Sequence, residues 1–313
     1  MIKILTAILI ALNPVVGLFS PTEKNPDASS KEAPLVSAAA SPQLLPLSAD
    51  IFLTSGKLPF FWPNRDFNVP EPEITAKTAL VYDTYYQAFL FEKNGFSEPQ
   101  PIASLTKLLT ALVVMDNARL DQIFKVSRSA VNTYGEMGGL YVGESLTAKN
   151  LLAAMLIESS NDAAVALAEN ISPDFVGLMN EKTKQLGLKN SSFSDPSGLD
   201  PNNQASAQDL IKIMEAVLKH SPLQEIMQSA VWEFHSVDGK FYHRLTSTNK
   251  LLGQISEIAG GKTGYTEEAG NCMVLAVKSP GGKGFVISAV IAAKDRLAET
   301  KTLIEWTKQA FLW

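Results

Sequence analysis

The chain has 313 residues, with 27 Lys+Arg against 32 Asp+Glu for a formal net charge of -5, and 46% of its residues are hydrophobic. That composition builds a packed core and excludes a wholly disordered or collagen-like chain, while the acidic balance argues against a nucleic-acid binder, which needs a basic face to displace counterions. One cysteine, Cys272, rules out a disulfide framework and a paired-cysteine zinc site, and three histidines (His220, His235, His243) leave little for metal chemistry, so no metal or other cofactor is expected.

The chain opens MIKILTAILIALNPVVGLFS, a lysine followed by a run from residue 4 to 19 that is apolar except at Thr6, Asn13 and Pro14. A charged start and a short apolar run are the pattern of an export signal; a spanning helix wants about 20 apolar residues, and Asn-Pro interrupts this one. No small-x-small cleavage site follows Phe19, so residues 1–20 read as a signal peptide or as an N-terminal membrane anchor. Residues 21–69 are rich in Pro, Ser and Ala and read as a flexible tether, with an aromatic patch, Phe60-Phe61-Trp62, placed to dock on the folded domain.

From residue 70 to 313 the hydrophobic period alternates. Residues 79–82 and 87–91 look like paired strands about a turn near Asp83-Thr84. Apolar helical stretches follow at 105–115, at 151–168 with a polar break over 158–161, and at 210–218. Strands return at 271–277, where Cys272 is expected to be buried, and at 284–292; Leu303, Ile304, Trp306 and Phe311 read as a helix closing over the sheet. No fixed-period repeat occurs. Strands, a block of helices, strands and a helix imply an α+β fold: an antiparallel sheet flanked by helices, with an interposed all-helical lobe.

Three short motifs carry chemistry. Ser104-Leu-Thr-Lys107 opens a helix, and residues three apart share a helical face; Ser104 there sits where free N–H groups and the helix dipole favour negative charge. Read by itself, S-x-x-K recurs too often by chance to carry that chemistry, and the plainer reading is a helix cap followed by a surface lysine. Glu158-Ser-Ser-Asn161 interrupts an apolar helix, either as a boundary capped by Ser160 or Asn161, or as a tight loop that aims Ser159 and Asn161 into a cleft. Gly260-Gly-Lys-Thr-Gly-Tyr265 is not a phosphate loop, because that motif needs a glycine where Ser256 stands; its glycines instead suggest backbone brought close to a ligand at a strand edge.

S-x-x-K, S-x-N and K-T-G in that order resemble the penicillin-binding protein and β-lactamase superfamily. The chain is most similar to the D-alanyl-D-alanine carboxypeptidases, serine peptidase family S11. Tyr134-Gly-Glu-Met-Gly-Gly, Val142-Gly-Glu-Ser-Leu-Thr, Ser159-Ser-Asn-Asp-Ala-Ala and Ser197-Gly-Leu-Asp-Pro201 extend the likeness over residues 76–313. The resemblance implies a β-lactamase/transpeptidase-like fold and a DD-peptidase catalytic domain at 70–313. It implies Ser104 as nucleophile, Lys107 as the neutral base that takes its proton, and Ser159 as proton relay to the departing amine. Asn161, Lys262 and Thr263 would bind substrate, with the N–H groups of Ser104 and Tyr265 as oxyanion hole. Lys262 would also keep Lys107 neutral by supplying a nearby cation. The implied partners are the D-Ala-D-Ala end of the peptidoglycan stem peptide and β-lactams as covalent inhibitors, outside the cytoplasm. The small β domain and amphipathic anchor that many members carry after the catalytic domain are not expected here, which makes the N-terminal run the expected site of membrane contact.

Three rivals fare worse on the residues. A class A β-lactamase needs an E-x-x-L-N segment between Asn161 and Lys262, and none is there. A His-dependent hydrolase would want a G-x-S-x-G elbow, also missing; His235, Asp238 and His243 read as a polar hairpin or loop. A non-catalytic wall binder would not keep every reactive position. A DD-endopeptidase acting on crosslinks uses the same residues and stays open. Arg296, at the junction of the last strand and helix, reads as a surface arginine, with added charge for a carboxylate pocket as the alternative.

Overall fold

Residues 63–135 and 139–313 are described by the computed structural model. In chain order the main elements are strands β1 (Thr78–Asp83) and β2 (Ala88–Lys93), then helix α1 (Thr106–Asn117). Helices α2 (Ala148–Ala153), α3 (Asn161–Ile171), α4 (Phe175–Gln185), α5 (Ala207–Val217) and α6 (Ser221–Gln228) follow. Next come the hairpin β3 (Val231–His235) and β4 (Tyr242–Thr246), the strands β5 (Ile258–Thr266), β6 (Gly270–Lys278) and β7 (Phe285–Ala293), and helix α7 (Arg296–Ala310).

The central sheet is antiparallel throughout, in the order β5-β6-β7-β1-β2. Its strands are apolar on both faces because both faces are covered. Leu80, Val274, Ala276, Ile287 and Ala289 face the helical lobe, while Ala79, Val81, Met273, Leu275 and Val290 alternate onto Leu303, Ile304 and Trp306 of α7. Each fully buried large aliphatic side chain stabilises the fold by about 1.5–3 kcal/mol relative to exposure. Helix α1 runs through the lobe's interior: every residue from Thr106 to Val114 is buried, Lys107 among them. This is the α+β architecture, with its interposed helices, that the sequence pattern implies. Cys272 is buried in β6, and burial pushes its thiol up to about 11.

The structure moves two boundaries. Asn64–Arg65 pairs antiparallel with Phe311–Leu312, and Arg65 lies 4.6 Å from the Trp306 ring, so the folded part begins before residue 70. Phe311 belongs to that small ladder and not to the closing helix, which ends at Ala310. Residues 1–62, with the N-terminal run, the Phe60-Phe61-Trp62 patch and most of the tether, lie outside the described residues, as do 136–138. Among the described residues no helix is long and apolar enough to cross a membrane.

Candidate active site

The polar break in the second helical stretch is both things the sequence allowed. After α2 the chain makes a π-helical turn, Ala154–Glu158, and Ser159 adopts a left-handed φ of 70°. Ser160 then caps α3, its Oγ accepting from Ala163 N–H at 3.1 Å. The reversal turns Ser159 and Asn161 out of the helix pair into a cleft. Ser104 reaches the same cleft from a single 3-10 turn, Ala103–Leu105, that leads into α1. Ala103 has φ of 48°, and its carbonyl accepts from Thr106 Oγ1 at 2.8 Å. Gly198 packs on that carbonyl so closely that a Cβ would come within 2.1 Å of it, and its φ of 86° also requires glycine. Strand β5 completes the site as the edge of the sheet, with Gly264 against the Ser104 turn: a Cβ there would lie 3.1 Å from Ser104 N.

Lys107 is fully buried, and its Nζ lies 2.9 Å from Ser104 Oγ, 2.8 Å from Asn161 Oδ1 and 2.6 Å from the Ser197 carbonyl oxygen. The last two atoms can only accept. A neutral amine has two N–H bonds for them and keeps its lone pair for the Ser104 hydroxyl, the arrangement a base needs. Burial pushes Lys107 down to about 7, against the opposing pull of the Asp195 carboxylate. Burial is the larger cause, ahead of the Lys262 charge that the motif logic proposes. The repulsion shows instead at Lys262, which is held well below its usual value by burial, then by Lys107 and Arg296. Lys262 Nζ donates to Ser159 Oγ at 2.8 Å and to the Thr263 carbonyl at 2.9 Å.

Asn161 is held at both ends of its amide, because Nδ2 donates to the Tyr134 carbonyl at 3.2 Å. Thr263 Oγ1 donates to Thr248 Oγ1 at 2.9 Å. Arg296 is not a free surface residue: half-buried, it donates from Nη1 to the Gly264 carbonyl at 2.7 Å and so braces β5 from behind. The cleft encloses about 520 Å³, and Ser104, Ser159, Asn161 and Tyr265 line it, with Lys107 and Lys262 beneath. Sequence reasoning did not single out Tyr134, Leu199, Glu267 and Glu268, which line it too, nor Asp195 beside it. Tyr134 and Leu199 fall within stretches that carry the family likeness, so a signal was present for them. His243 sits elsewhere, its Nε2 2.8 Å from Glu144 Oε2 in a buried contact between the β3–β4 hairpin and the loop before α2. Among the described residues no group of three or more His, Cys, Asp or Glu is placed to hold a metal ion.

Comparison with known proteins decides the family. The family model described as D-alanyl-D-alanine carboxypeptidase matches residues 65–295. The chain belongs to this family. Among its relatives, D-alanyl-D-alanine carboxypeptidase DacF of Bacillus subtilis is 32% identical over 246 residues, 74% of this chain and 61% of that protein, so the chain spans about three fifths of the relative's length. D-alanyl-D-alanine endopeptidase of Escherichia coli is 32% identical over 215 residues, 66% of this chain and 68% of that protein. The crystal structure of D-alanyl-D-alanine carboxypeptidase from Mycobacterium tuberculosis superposes with a TM-score of 0.71 at 28% identity, covering 77% of this chain and 94% of the other. The S11 carboxypeptidase family and its fold, implied by the three motifs, are thus both found.

Proposed function

We propose that the protein is a serine-type D-alanyl-D-alanine carboxypeptidase that removes the terminal D-alanine of peptidoglycan stem peptides through an acyl-enzyme on Ser104. The observation that carries this reading is the buried Lys107 amine, 2.9 Å from Ser104 Oγ, with two carbonyl acceptors for its N–H bonds. The substrate carboxylate docks at Lys262 and Thr263; an arriving anion favours the ammonium form that burial disfavours. The penultimate carbonyl points its oxygen at the N–H groups of Ser104 and Tyr265, an oxyanion hole in which one donor is typically worth about 3–4 kcal/mol of barrier. Asn161 orients the peptide group. Ser104 loses its proton to Lys107 as its oxygen attacks, and the departing D-alanine amine gains a proton through Ser159, which Lys262 supports with a hydrogen bond. Water then hydrolyses the ester, and β-lactams that acylate Ser104 and resist this step inhibit the enzyme.

The same residues support a DD-endopeptidase, and the endopeptidase relative, matched over about two thirds of both chains, favours keeping that reading. In both readings the protein works outside the cytoplasm. Residues 1–20, cut as a signal or retained as an anchor, lead through a tether to a catalytic domain that extends to residue 313. Mass spectrometry after exposure to benzylpenicillin tests the core of this reading. One adduct is expected on the peptide carrying Ser104 and none in Ser104→Ala; an adduct that survives the substitution sinks it. Released D-alanine from a pentapeptide indicates the carboxypeptidase, and monomer release from a crosslinked dimer the endopeptidase. The N-terminal mass of protein recovered from the producing cell reports whether residues 1–20 are removed.

A further inference from the structure

A turn over residues 194–203 supplies one of the two carbonyls that hold Lys107, and the organisation of that turn runs through a single side chain. It links two short strands, Ser191–Ser192 and Gln204–Ala205, and the second of these pairs with Gln100–Pro101 just ahead of the Ser104 turn. Asp195 Oδ1 accepts from Ser197 N–H at 2.6 Å, Ser197 Oγ at 2.5 Å and Gly198 N–H at 2.8 Å. Its Oδ2 accepts from Asp200 N–H at 2.7 Å and Asn203 Nδ2 at 2.5 Å. The turn is then tied to the Ser104–α1 unit from two sides, by Thr110 Oγ1 to the Pro196 carbonyl at 2.7 Å and by Ile102 N–H to the Asn203 carbonyl at 3.3 Å. Between these ties the Ser197 carbonyl meets Lys107 Nζ.

We propose that Asp195 is a positioning residue for Lys107: its carboxylate gathers the turn so that the Ser197 carbonyl holds one N–H of the amine, and it sets a negative charge beside a lysine that is otherwise desolvated. The inference rests on the reading of Lys107 as the acylation base. Burial pushes the Asp195 carboxyl up, but the hydrogen bonds from Ser197, Asp200 and Gly198 outweigh this and hold it below the usual range, so it is charged at neutral pH. The titratable and charged groups on the elements around Lys107 are Asp195 itself, Lys262 on β5 with Arg296 behind it, Asp162 next to Asn161 on α3, which burial raises to about 6, and Glu267 and Glu268 at the cleft mouth. Among them Asp195 supplies the negative charge that acts on the amine, and it acts upward, against burial. A base works best when its affinity for protons matches the ambient pH; Asp195 keeps a fully buried lysine from being too weak.

The test is the rate of acylation by a fluorescent penicillin between pH 5 and 9, on the full chain. In the parent protein the rate rises as Lys107 loses its proton. Asp195→Asn removes the charge and two of the acceptor sites, so the midpoint should move to lower pH by about half a unit or more and the high-pH plateau should fall at least about threefold. Asp195→Glu keeps the charge and should hold the parent midpoint even where the plateau falls. A midpoint unmoved in Asp195→Asn overturns the proposal whatever happens to the plateau, since a merely structural role changes only the latter. If Asp195→Asn loses its cooperative melting transition, Asn203→Ala takes its place. It removes one of the five donors to the carboxylate without altering its charge and should lower the plateau at the parent midpoint; an unchanged plateau or a shifted midpoint overturns the proposal. Lys107→Ala is the control that separates the two claims: full acylation in that variant removes the base reading and this inference with it, whereas its loss beside an unmoved Asp195→Asn midpoint removes this inference alone.

Discussion

Lys107 and Lys262 reach the cleft from opposite halves of the molecule, one from the first turn of a buried helix, the other from the edge strand of the sheet. Both are fully buried and both are pushed towards neutrality. Their surroundings differ. Lys107 ends among two carbonyl oxygens and a hydroxyl, with one carboxylate nearby, so its neutral form is complete as it stands. Lys262 ends on a hydroxyl and its neighbour's carbonyl, with Lys107 and Arg296 opposing its charge and, among the described residues, no carboxylate bonded to its amine. Identical side chains thus differ in what they are buried with, and in the proposed reaction one takes a proton while the other receives a negative group.

The comparison breaks most decisively at Lys107. Lys107→Ala should slow acylation by penicillin about a thousandfold, since among the described residues Lys107 is the base bonded to Ser104 Oγ; stopped-flow fluorescence of the labelled adduct measures this, and a loss below tenfold removes the distinction between the two lysines. Lys262→Ala should cost about a hundredfold in kcat/KM on a peptide ending in a free carboxylate, and much less on its carboxamide. If both substrates suffer alike, Lys262 is not the anion site. The pH dependence sharpens the contrast further. With Lys107 at about 7, the neutral fraction, and with it the acylation rate, should drop about tenfold between pH 8 and pH 6. A flat profile over that interval would show the base to be another group. The smallest effect is expected at His235, exposed on the β3–β4 hairpin; His235→Gln should acylate at the parent rate, and a marked loss in the same assay reopens histidine catalysis.

Much of this was readable in the chain. Helical periodicity placed Ser104 and Lys107 on one face, the polar break in 151–168 gave the Ser159–Asn161 reversal, and the glycines around Lys262 marked a close approach at a sheet edge. What the sequence hid depends on depth and on distant partners. The resemblance implies that two lysines converge, but only the structure shows how deeply both are buried, and burial is the larger cause at Lys107. Arg296 looked like surface because nothing local reveals that its guanidinium bonds the carbonyl of a residue 32 positions away. Asp195 is silent in the same way: a carboxylate followed by Pro-Ser-Gly reads as any turn, and its five donors are visible only once the turn has closed. Asn64–Arg65 escaped notice as a strand because two residues in a proline-rich stretch have no period, and their partner lies at the opposite end of the chain.

The position of β5 at the rim of its sheet has a consequence for inhibitor escape. A ligand laid along that strand would be read by main-chain groups, which no point substitution except to proline deletes. Position 264 offers little room for added bulk either, since any side chain there collides with the turn that carries Ser104. Variants that shed an inhibitor while keeping their reaction are therefore expected to map to the mouth of the cleft, around Tyr134, Glu267 and Glu268, and not to the strand.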